Sequence, residues 1–250
     1  MASLRLVRHA TLVLEYGGTA LLVDPMLGEA GSMPPIPDTP NDRRNPLVEL
    51  PDADLAHDAL LVTHLHRDHL DDAARERLAG GTPTLCQPED AEALVEAGFT
   101  DVRPVEGSLE FDGVRITRTP ARHGHGDLAE RMAPVSGFVL EADGEPTVYH
   151  AGDTVWYDGV ADTLDRFDPD VVVVNAGAAR FTEGRPITMT AEDVLEVCSH
   201  TDATVVADHM DAINHCLLTR ADLRSALAEA GVENRVLIPE DGERVELGGA

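Results

Sequence analysis

The sequence contains no lysine and has a large excess of acidic residues. Its 19 basic residues are all arginines, against 46 aspartates and glutamates, so the formal net charge is -27 at pH 7. A surface of this charge repels polyanions at a distance, which excludes nucleic acid as an expected partner. We expect a small-molecule substrate instead.

Long apolar runs and a disulfide framework are also missing. No segment approaches the ~18 consecutive apolar residues of a membrane span, and no apolar leader precedes the first alternating segment. The cysteines are Cys86, Cys198 and Cys216, an odd number without a CxxC pair, which is typical of reduced thiols. We therefore expect a cytoplasmic protein that does not bind membranes.

The patterns that are present predict an α/β protein with one domain over residues 1–250. A hydrophobic content of 43% with regular glycine and proline is typical of a globular domain of this length. Two β-type runs, 11–16 and 19–24, flank a Gly-Gly turn and predict a hairpin. A similar pattern at 139–149 indicates two related halves. We expect two β-sheets flanked by helices. The sequence does not distinguish a monomer from a homo-oligomer.

The most informative segment is a short apolar run, residues 60–63, that ends in three histidines and an aspartate. If the chain stays extended, His64 and His66 project to the same side and can hold one ion together. Asp68 and His69 fall where the backbone turns into the next helix, so we expect them to point toward a second ion. Such clusters at a strand end are typical of metal sites.

The pattern His64-x-His66-x-Asp68-His69 resembles the HxHxDH motif of the metallo-β-lactamase superfamily. The resemblance implies a four-layer αβ/βα sandwich with two metal ions at one edge of the sheets. It also implies that Asp24, at the end of the second hairpin strand, supports a ligand through a hydrogen bond; a simple strand-ending aspartate is the alternative interpretation. The ligands that it implies are His64, His66 and His123 for one ion, Asp68, His69 and His209 for the other, and Asp153 between them.

Two of these ligands have competitors in the sequence. His123 follows its strand more directly than His125, so we favour His123 as the ligand and expect His125 to line the pocket. His209 ends a strand directly, and we prefer it to His215 for the same reason. His215 is then expected to contact substrate or to donate a proton, so that Asp68 and His215 are the predicted catalytic residues.

Asp153 belongs to Gly152-Asp153-Thr154, which follows a strand and matches the GDT motif of the superfamily. A carboxylate in this position can bridge two metals ~3.5 to 4 Å apart, because each oxygen reaches one cation. Trp156 lies just beyond. It is a candidate for the pocket wall, although packing against a helix is slightly favoured.

Two further segments are candidates for substrate contact. Asn175 and Arg180 follow the buried run 171–174, and the loop resembles the branch of the superfamily that includes L-ascorbate-6-phosphate lactonase. A structural loop is an equally good interpretation of both residues. The proline-rich segment 25–54 is predicted to be a flap over the site.

The predicted function is metal-dependent hydrolysis of a small-molecule ester, lactone or amide. Nitrogen and oxygen ligands suit Zn or Mn, with Fe as a third candidate. A water that bridges two such cations has its pKa brought toward ~7, which supplies hydroxide at neutral pH. The alternatives are a phosphodiesterase acting on a small substrate and an iron-dependent oxidoreductase on the same fold.

Overall fold

The computed structural model describes residues 2–248. Within this part of the chain fourteen strands form, and they are β1 (Ser3–Arg8), β2 (Thr11–Tyr16), β3 (Thr19–Val23), β4 (Ala59–Val62), β5 (Thr84–Cys86), β6 (Val102–Pro104), β7 (Ser108–Phe111), β8 (Val114–Pro120), β9 (Ser136–Glu141), β10 (Val148–His150), β11 (Val171–Asn175), β12 (Thr204–Asp208), β13 (Val236–Leu237) and β14 (Arg244–Glu246). The α-helices of the same part are α1 (Asp72–Leu78), α2 (Ala91–Glu96), α3 (Asp127–Met132), α4 (Asp158–Phe167), α5 (Ala191–His200) and α6 (Arg220–Ala230).

The strands form two seven-stranded mixed sheets with the same internal plan. The first has the order β14-β1-β2-β3-β4-β5-β6 and the second the order β7-β8-β9-β10-β11-β12-β13. In each sheet the first three pairings are antiparallel and the last three are parallel. The two halves predicted from the sequence therefore correspond to two sheets of equal topology.

Three apolar cores separate four layers. One core lies between the sheets, a second lies between the first sheet and α1 and α2, and the third lies between the second sheet and α4, α5 and α6. β11 shows how the sequence specifies this arrangement: Val171 and Val173 face the central core, whereas Val172 and Val174 face the helices. The predicted sandwich of two sheets flanked by helices is confirmed.

The helix ends are fixed by side chains that the sequence identifies. Asp71 caps α1 by accepting from the Ala74 amide at 2.7 Å, and Thr190 forms a capping box with Asp193 at the start of α5. No helix within residues 2–248 has the length and apolar character needed to cross a membrane.

Some elements differ from the expectation. β1, β6 and β14 are strands of the first sheet that the sequence patterns did not predict. β1 and β14 are neighbours in the first sheet. The amino-terminal and carboxy-terminal parts of the chain therefore meet in one sheet.

Candidate metal centre

The first cluster of candidate ligands consists of His64, His66, His123 and Asp153, whose ligand atoms all lie within 4.8 Å of one another. They follow the carboxyl ends of β4, β8 and β10, so three strands from both sheets contribute to one place. His64 Nε2 lies 2.8 Å from His66 Nδ1, and His123 Nε2 lies 3.3 Å from Asp153 Oδ2. The structure thus brings together the residues predicted for the first ion.

The second cluster consists of His9, Asp68, His69 and His209, all of them buried, with the same 4.8 Å limit between their ligand atoms. His69 Nε2 and His209 Nε2 lie 3.3 Å apart. Three of the four residues were predicted as ligands of the second ion. His9, in the turn between β1 and β2, was not.

Asp153 lies between the two clusters. Its Oδ2 atom is 3.4 Å from His69 Nε2, and its Oδ1 atom is 3.3 Å from His209 Nε2. Oδ2 is also the atom that contacts His123 in the first cluster. Asp153 therefore contacts histidines of both clusters, and its role as a bridging ligand stays a prediction.

Each buried ligand histidine is oriented through its second ring nitrogen. His69 Nδ1 donates to Asp24 Oδ2 at 2.8 Å, which is the supporting role expected for Asp24. The Thr63 hydroxyl donates to the same carboxylate, so it accepts from His64 Nδ1 at 3.0 Å. The remaining partners are the Ile187 carbonyl for His123 and the Cys216 thiol for His209. Metal-binding histidines characteristically have such partners.

These partners leave a set of converging lone pairs. When His69 and His209 each donate through Nδ1, both Nε2 atoms present lone pairs to each other and to the Asp153 carboxylate. A positive charge between them, from a metal ion or from a proton on His69, makes such a contact favourable. The donors are imidazole nitrogens and carboxylate oxygens, so the site fits divalent Zn, Mn or Fe.

The pKa shifts of the site residues also indicate that a positive charge is required there. Burial lowers the pKa of His69, but the carboxylates of Asp153 and Asp24 outweigh it and hold this pKa well above the usual value. Burial would raise the pKa of Asp153, yet His209, His69 and His123 hold it well below the usual value. The carboxylates therefore stay ionised and demand positive charge where the second ion is expected.

His125 and Trp156 lie outside both clusters. Burial and the charges of Arg185 and Arg122 lower the pKa of His125, and the charge of Asp193 opposes them. The Trp156 ring packs against His200, with ring centroids 5.5 Å apart, and belongs to the core between the second sheet and its helices. The structure thus shows Trp156 in packing contacts, and a place at the pocket wall stays a prediction.

Asn175 and Arg180 have different positions in the loop after β11. The Asn175 side chain is buried and donates from Nδ2 to Asp153 Oδ1 at 2.6 Å. It is placed to orient a candidate ligand, and a contact with substrate stays a prediction. The Arg180 side chain is exposed, and its backbone N–H donates to the His215 carbonyl at 3.0 Å. Arg180 remains a candidate for substrate contact.

His215 lies beside the clusters without joining them. Its side chain is buried, and the Phe181 ring lies 6.5 Å from its ring centroid. Burial lowers the pKa of His215 to about 4, despite the opposing charge of Asp68. The imidazole is therefore neutral at pH 7 and can donate one N–H, but it carries no acidic proton of its own.

The segment 25–54 is held over the site both at its base and at its tip. Near its base, the buried guanidinium of Arg8 donates to the carbonyls of Met26, Gly28 and Val48. Near its tip, Asn214 Oδ1 accepts from the Ile36 amide at 3.0 Å, and Asn214 Nδ2 donates to three acceptors in the same segment. The predicted flap is thus a cover that is attached by hydrogen bonds.

A cavity of about 140 Å³ lies under this cover. Its walls are mostly apolar, and Asp68 is the candidate ligand that reaches it. The lining residues are Met33, Pro34, Pro35, Ile36, Pro37, Asn45, Arg67, Asp68 and Ile213. Arg67 is the cation of this lining, and it pairs with Asp72 at 2.6 Å.

Residues 19–222 match the family described as a β-lactamase superfamily domain. YddR from Bacillus subtilis is 38% identical over 95% of this chain and 96% of its own length. Among solved structures, the isothiocyanate hydrolase from Delia radicum gut bacteria has 39% identity, covers 97% of this chain and 98% of its own, and gives a TM-score of 0.93. The structure of a possible metal-dependent hydrolase from Veillonella parvula has 34% identity, covers 99% of this chain and 100% of its own, and gives a TM-score of 0.94.

The chain therefore belongs to the metallo-β-lactamase superfamily and, within it, to the UPF0173 family of metal-dependent hydrolases. This confirms the superfamily that the HxHxDH motif indicated. The narrower resemblance to the lactonase branch stays a prediction.

Proposed function

We propose that this chain uses two divalent metal ions to hydrolyse a small molecule at an electrophilic carbon. The observation that carries the proposal is the position of Asp153, whose Oδ1 contacts His209 of the second cluster while Oδ2 lies between His69 of the second cluster and His123 of the first. A single ion needs no carboxylate between two clusters. An arrangement with two metal ions needs a carboxylate between them, because each oxygen can then contact one cation.

The residues divide into three groups in this proposal. His64, His66 and His123 would hold the first ion, Asp68, His69 and His209 the second, and Asp153 both. Bound ions would supply Lewis-acid chemistry and bring the pKa of a bound water toward ~7. Neutral His215 is placed to donate a hydrogen bond to the substrate, and the exposed Arg180 is a second candidate for contact.

The substrate class is proposed from the cavity and from one structural relative. A cavity of about 140 Å³ compares with the ~150 Å³ cavity known to bind benzene in another protein, and its apolar walls favour a small apolar group. The similar structure of an isothiocyanate hydrolase adds isothiocyanates to the esters, lactones and amides expected from the sequence. Addition of water to the central carbon of R–N=C=S gives the amine R–NH2 and carbonyl sulfide.

The decisive experiment combines metal analysis with a substrate panel. Purified protein is reconstituted with Zn or Mn, its bound metal is counted, and hydrolysis of isothiocyanates, lactones, aryl esters and bis-aryl phosphates is measured before and after chelation. We expect two equivalents of metal and turnover that chelation abolishes. Bound iron with redox activity would favour the oxidoreductase, and cleavage of the phosphates alone would favour the phosphodiesterase.

A matched pair of variants gives the control for this experiment. Asp153→Asn keeps the shape of the bridging side chain but removes its charge, and we expect loss of both metal and turnover. Asp202→Asn makes the same chemical change at an exposed position and should behave as the wild type. Less than one equivalent of metal in reconstituted wild-type protein would refute the proposal.

The remaining expectations concern compartment and partners. Cys86, Cys198 and Cys216 are free thiols, which supports the proposal of a reducing, cytoplasmic location. The net charge of -27 supports a small substrate over a nucleic-acid or membrane partner. Size-exclusion chromatography with light scattering decides between a monomer and a homo-oligomer.

A further inference from the structure

His9 lies in the second cluster at a conformation that side chains rarely adopt. Its backbone φ is 60°, in the left-handed region, and its side chain is fully buried. Residues other than glycine are uncommon there, although asparagine, aspartate and histidine are enriched among them, and such conformations are often associated with function. His9 Nε2 lies 3.2 Å from Asp68 Oδ2.

His9 also contacts His209 twice. The two imidazole rings lie 3.7 Å apart between centroids with an interplanar angle of 37°. The His9 carbonyl accepts the backbone N–H of His209 at 3.1 Å. The turn between β1 and β2 therefore supports a candidate ligand from the other sheet through both ring and backbone.

The second ring nitrogen shows whether His9 is itself a ligand. A neutral imidazole has one N–H, so a histidine that binds metal through Nε2 must carry its proton on Nδ1. The buried ligand histidines His64, His69, His123 and His209 each have a partner for that proton. His9 Nδ1 is buried and has no hydrogen-bond partner among residues 2–248.

The two protonation patterns of His9 differ in what they leave unpaired. Metal binding through Nε2 would leave a buried Nδ1–H donor without an acceptor, which is strongly unfavourable. Donation from Nε2–H to Asp68 leaves only a lone pair on Nδ1. The second pattern also satisfies the Asp68 carboxylate, which is buried.

We propose that His9 is a positioning residue of the second metal site, whose Nε2–H holds the Asp68 carboxylate in place while its ring supports His209. The inference rests on the proposed dinuclear centre. It gives His9 a different role from that of Asp68, His69 and His209, the proposed ligands in the same cluster. Loss of such a partner typically reduces metal affinity or activity 10-fold to 100-fold.

The first test reads the tautomer of His9 directly. Two-dimensional 15N-1H NMR of histidine-labelled protein is recorded in the metal-free and zinc-loaded forms, and the His9 signals are assigned by their absence in His9→Gln. We expect a proton on Nε2 and an unprotonated Nδ1 in both forms. A proton on Nδ1 with zinc on Nε2 in the loaded form would overturn the inference.

The second test separates the hydrogen bond from the ring contact. His9→Phe keeps a ring against His209 but has no donor, and His9→Gln supplies an amide donor without the ring. We expect both variants to bind two equivalents of zinc, with the second bound 10-fold to 100-fold more weakly in His9→Phe and largely restored in His9→Gln. His57→Phe, at the opposite end of β4 from His64, is the matched control.

These outcomes separate the inference from the proposed function. Binding of only one equivalent by both His9 variants, with two in the wild type, would make His9 a ligand and refute the positioning role. Less than one equivalent in the wild type would refute the dinuclear centre itself. If His9→Phe does not fold, the NMR measurement and His9→Gln still decide the question.

Discussion

Asn175 Nδ2 lies 2.6 Å from Asp153 Oδ1, and both side chains are buried. Asn175 ends β11, and Asp153 follows the end of its parallel neighbour β10. The carboxyl ends of parallel strands lie at one edge of a sheet, so the register of two strands fixes this contact. The amide thereby holds one carboxylate oxygen toward His209 and leaves the other toward His69 and His123.

Replacing Asn175 should weaken metal binding without removing any ligand. Asn175→Leu deletes the donor, and Asn175→Asp puts a second carboxylate beside Asp153. We expect a 10-fold to 100-fold loss of zinc affinity in both variants, measured by competition with a chromophoric chelator. Asn234→Asp, at an exposed position, is the control. Unchanged affinity in Asn175→Leu would show that the contact does not orient Asp153.

Much of the centre could be predicted because its ligands directly follow strands. His123 and His209 were chosen over His125 and His215 because they lie closer to the end of a strand, and the structure places both in the clusters. Parallel strands bring such positions to one edge of a sheet. The hairpin of β2 and β3 was predictable for a related reason, since its turn requires positive φ at Gly17 and Gly18.

Apart from the contact of Asp24 with His69, which the superfamily resemblance implied, the supporting contacts could not be predicted, because they join residues far apart in sequence. His9 meets Asp68 across 59 positions, and Asn214 meets Asn45 across 169. The sequence around His9 has no second ligand-type residue to draw attention to it. Asn175 was identified from its loop, but its partner depends on the register between β10 and β11, which the sequence pattern does not define.

Asp24 should affect the binding affinity for the second ion more than the affinity for the first. Its carboxylate accepts from His69 Nδ1 at 2.8 Å, whereas it reaches His64 only through the Thr63 hydroxyl. In Asp24→Asn the amide can no longer attract the proton of His69 Nδ1 as strongly, so the ligand becomes less basic. We expect the affinity for the second equivalent of zinc to fall 10-fold to 100-fold, with a smaller change for the first.

Calorimetric titration of metal-free Asp24→Asn with zinc resolves the two steps. Asp58→Asn is a suitable control, because Asp58 also accepts a backbone hydrogen bond but lies at the other end of β4. Equal weakening of both steps would indicate a general loss of structure. Circular dichroism and thermal unfolding of both variants then show whether the fold is intact.

Asn214 should determine how firmly the cover is held. Its side chain bonds Ile36, Thr39, Asn41 and Asn45, and all four lie in the segment 25–54. Asn214→Ala removes these bonds and leaves buried polar groups without their partner, so we expect a loss of about 1 to 3 kcal/mol in unfolding free energy. Hydrogen exchange should rise in residues 33–45 and stay unchanged in the two sheets.

The same variant tests the role of the cavity in substrate binding. Ile36 and Asn45 line the cavity, so a loosened cover should raise KM for substrates with an apolar group more than it lowers kcat. Asn41→Ala removes a single bond from this network and should show a smaller effect in the same direction. Fast exchange throughout the wild-type segment would contradict an attached cover.

The metal-free protein should lose stability as the pH falls below about 6.5, the usual pKa of histidine. Burial lowers the pKa values of His64, His209 and His9. Each of these groups therefore binds its proton more readily in the unfolded chain, so its contribution to stability is complete above pH 6.5 and is lost as the pH falls. His69 acts in the opposite direction, because the pKa of this histidine is raised.

The balance between lowered and raised pKa values determines how steeply the free energy of unfolding depends on pH. The histidines with lowered pKa values also include His66, His150 and His215. They outnumber the one raised histidine, so unfolding takes up protons at acidic pH and its free energy should fall by more than ~1.4 kcal/mol per pH unit, the value for a single proton. Chemical denaturation of chelated protein between pH 7.5 and 5 measures this slope. Saturating zinc should move the loss of stability to lower pH, because protons must then compete with bound metal for the same nitrogens. A metal-free protein that gains stability on acidification would show that His69 dominates and that the buried histidines are already protonated in the folded state.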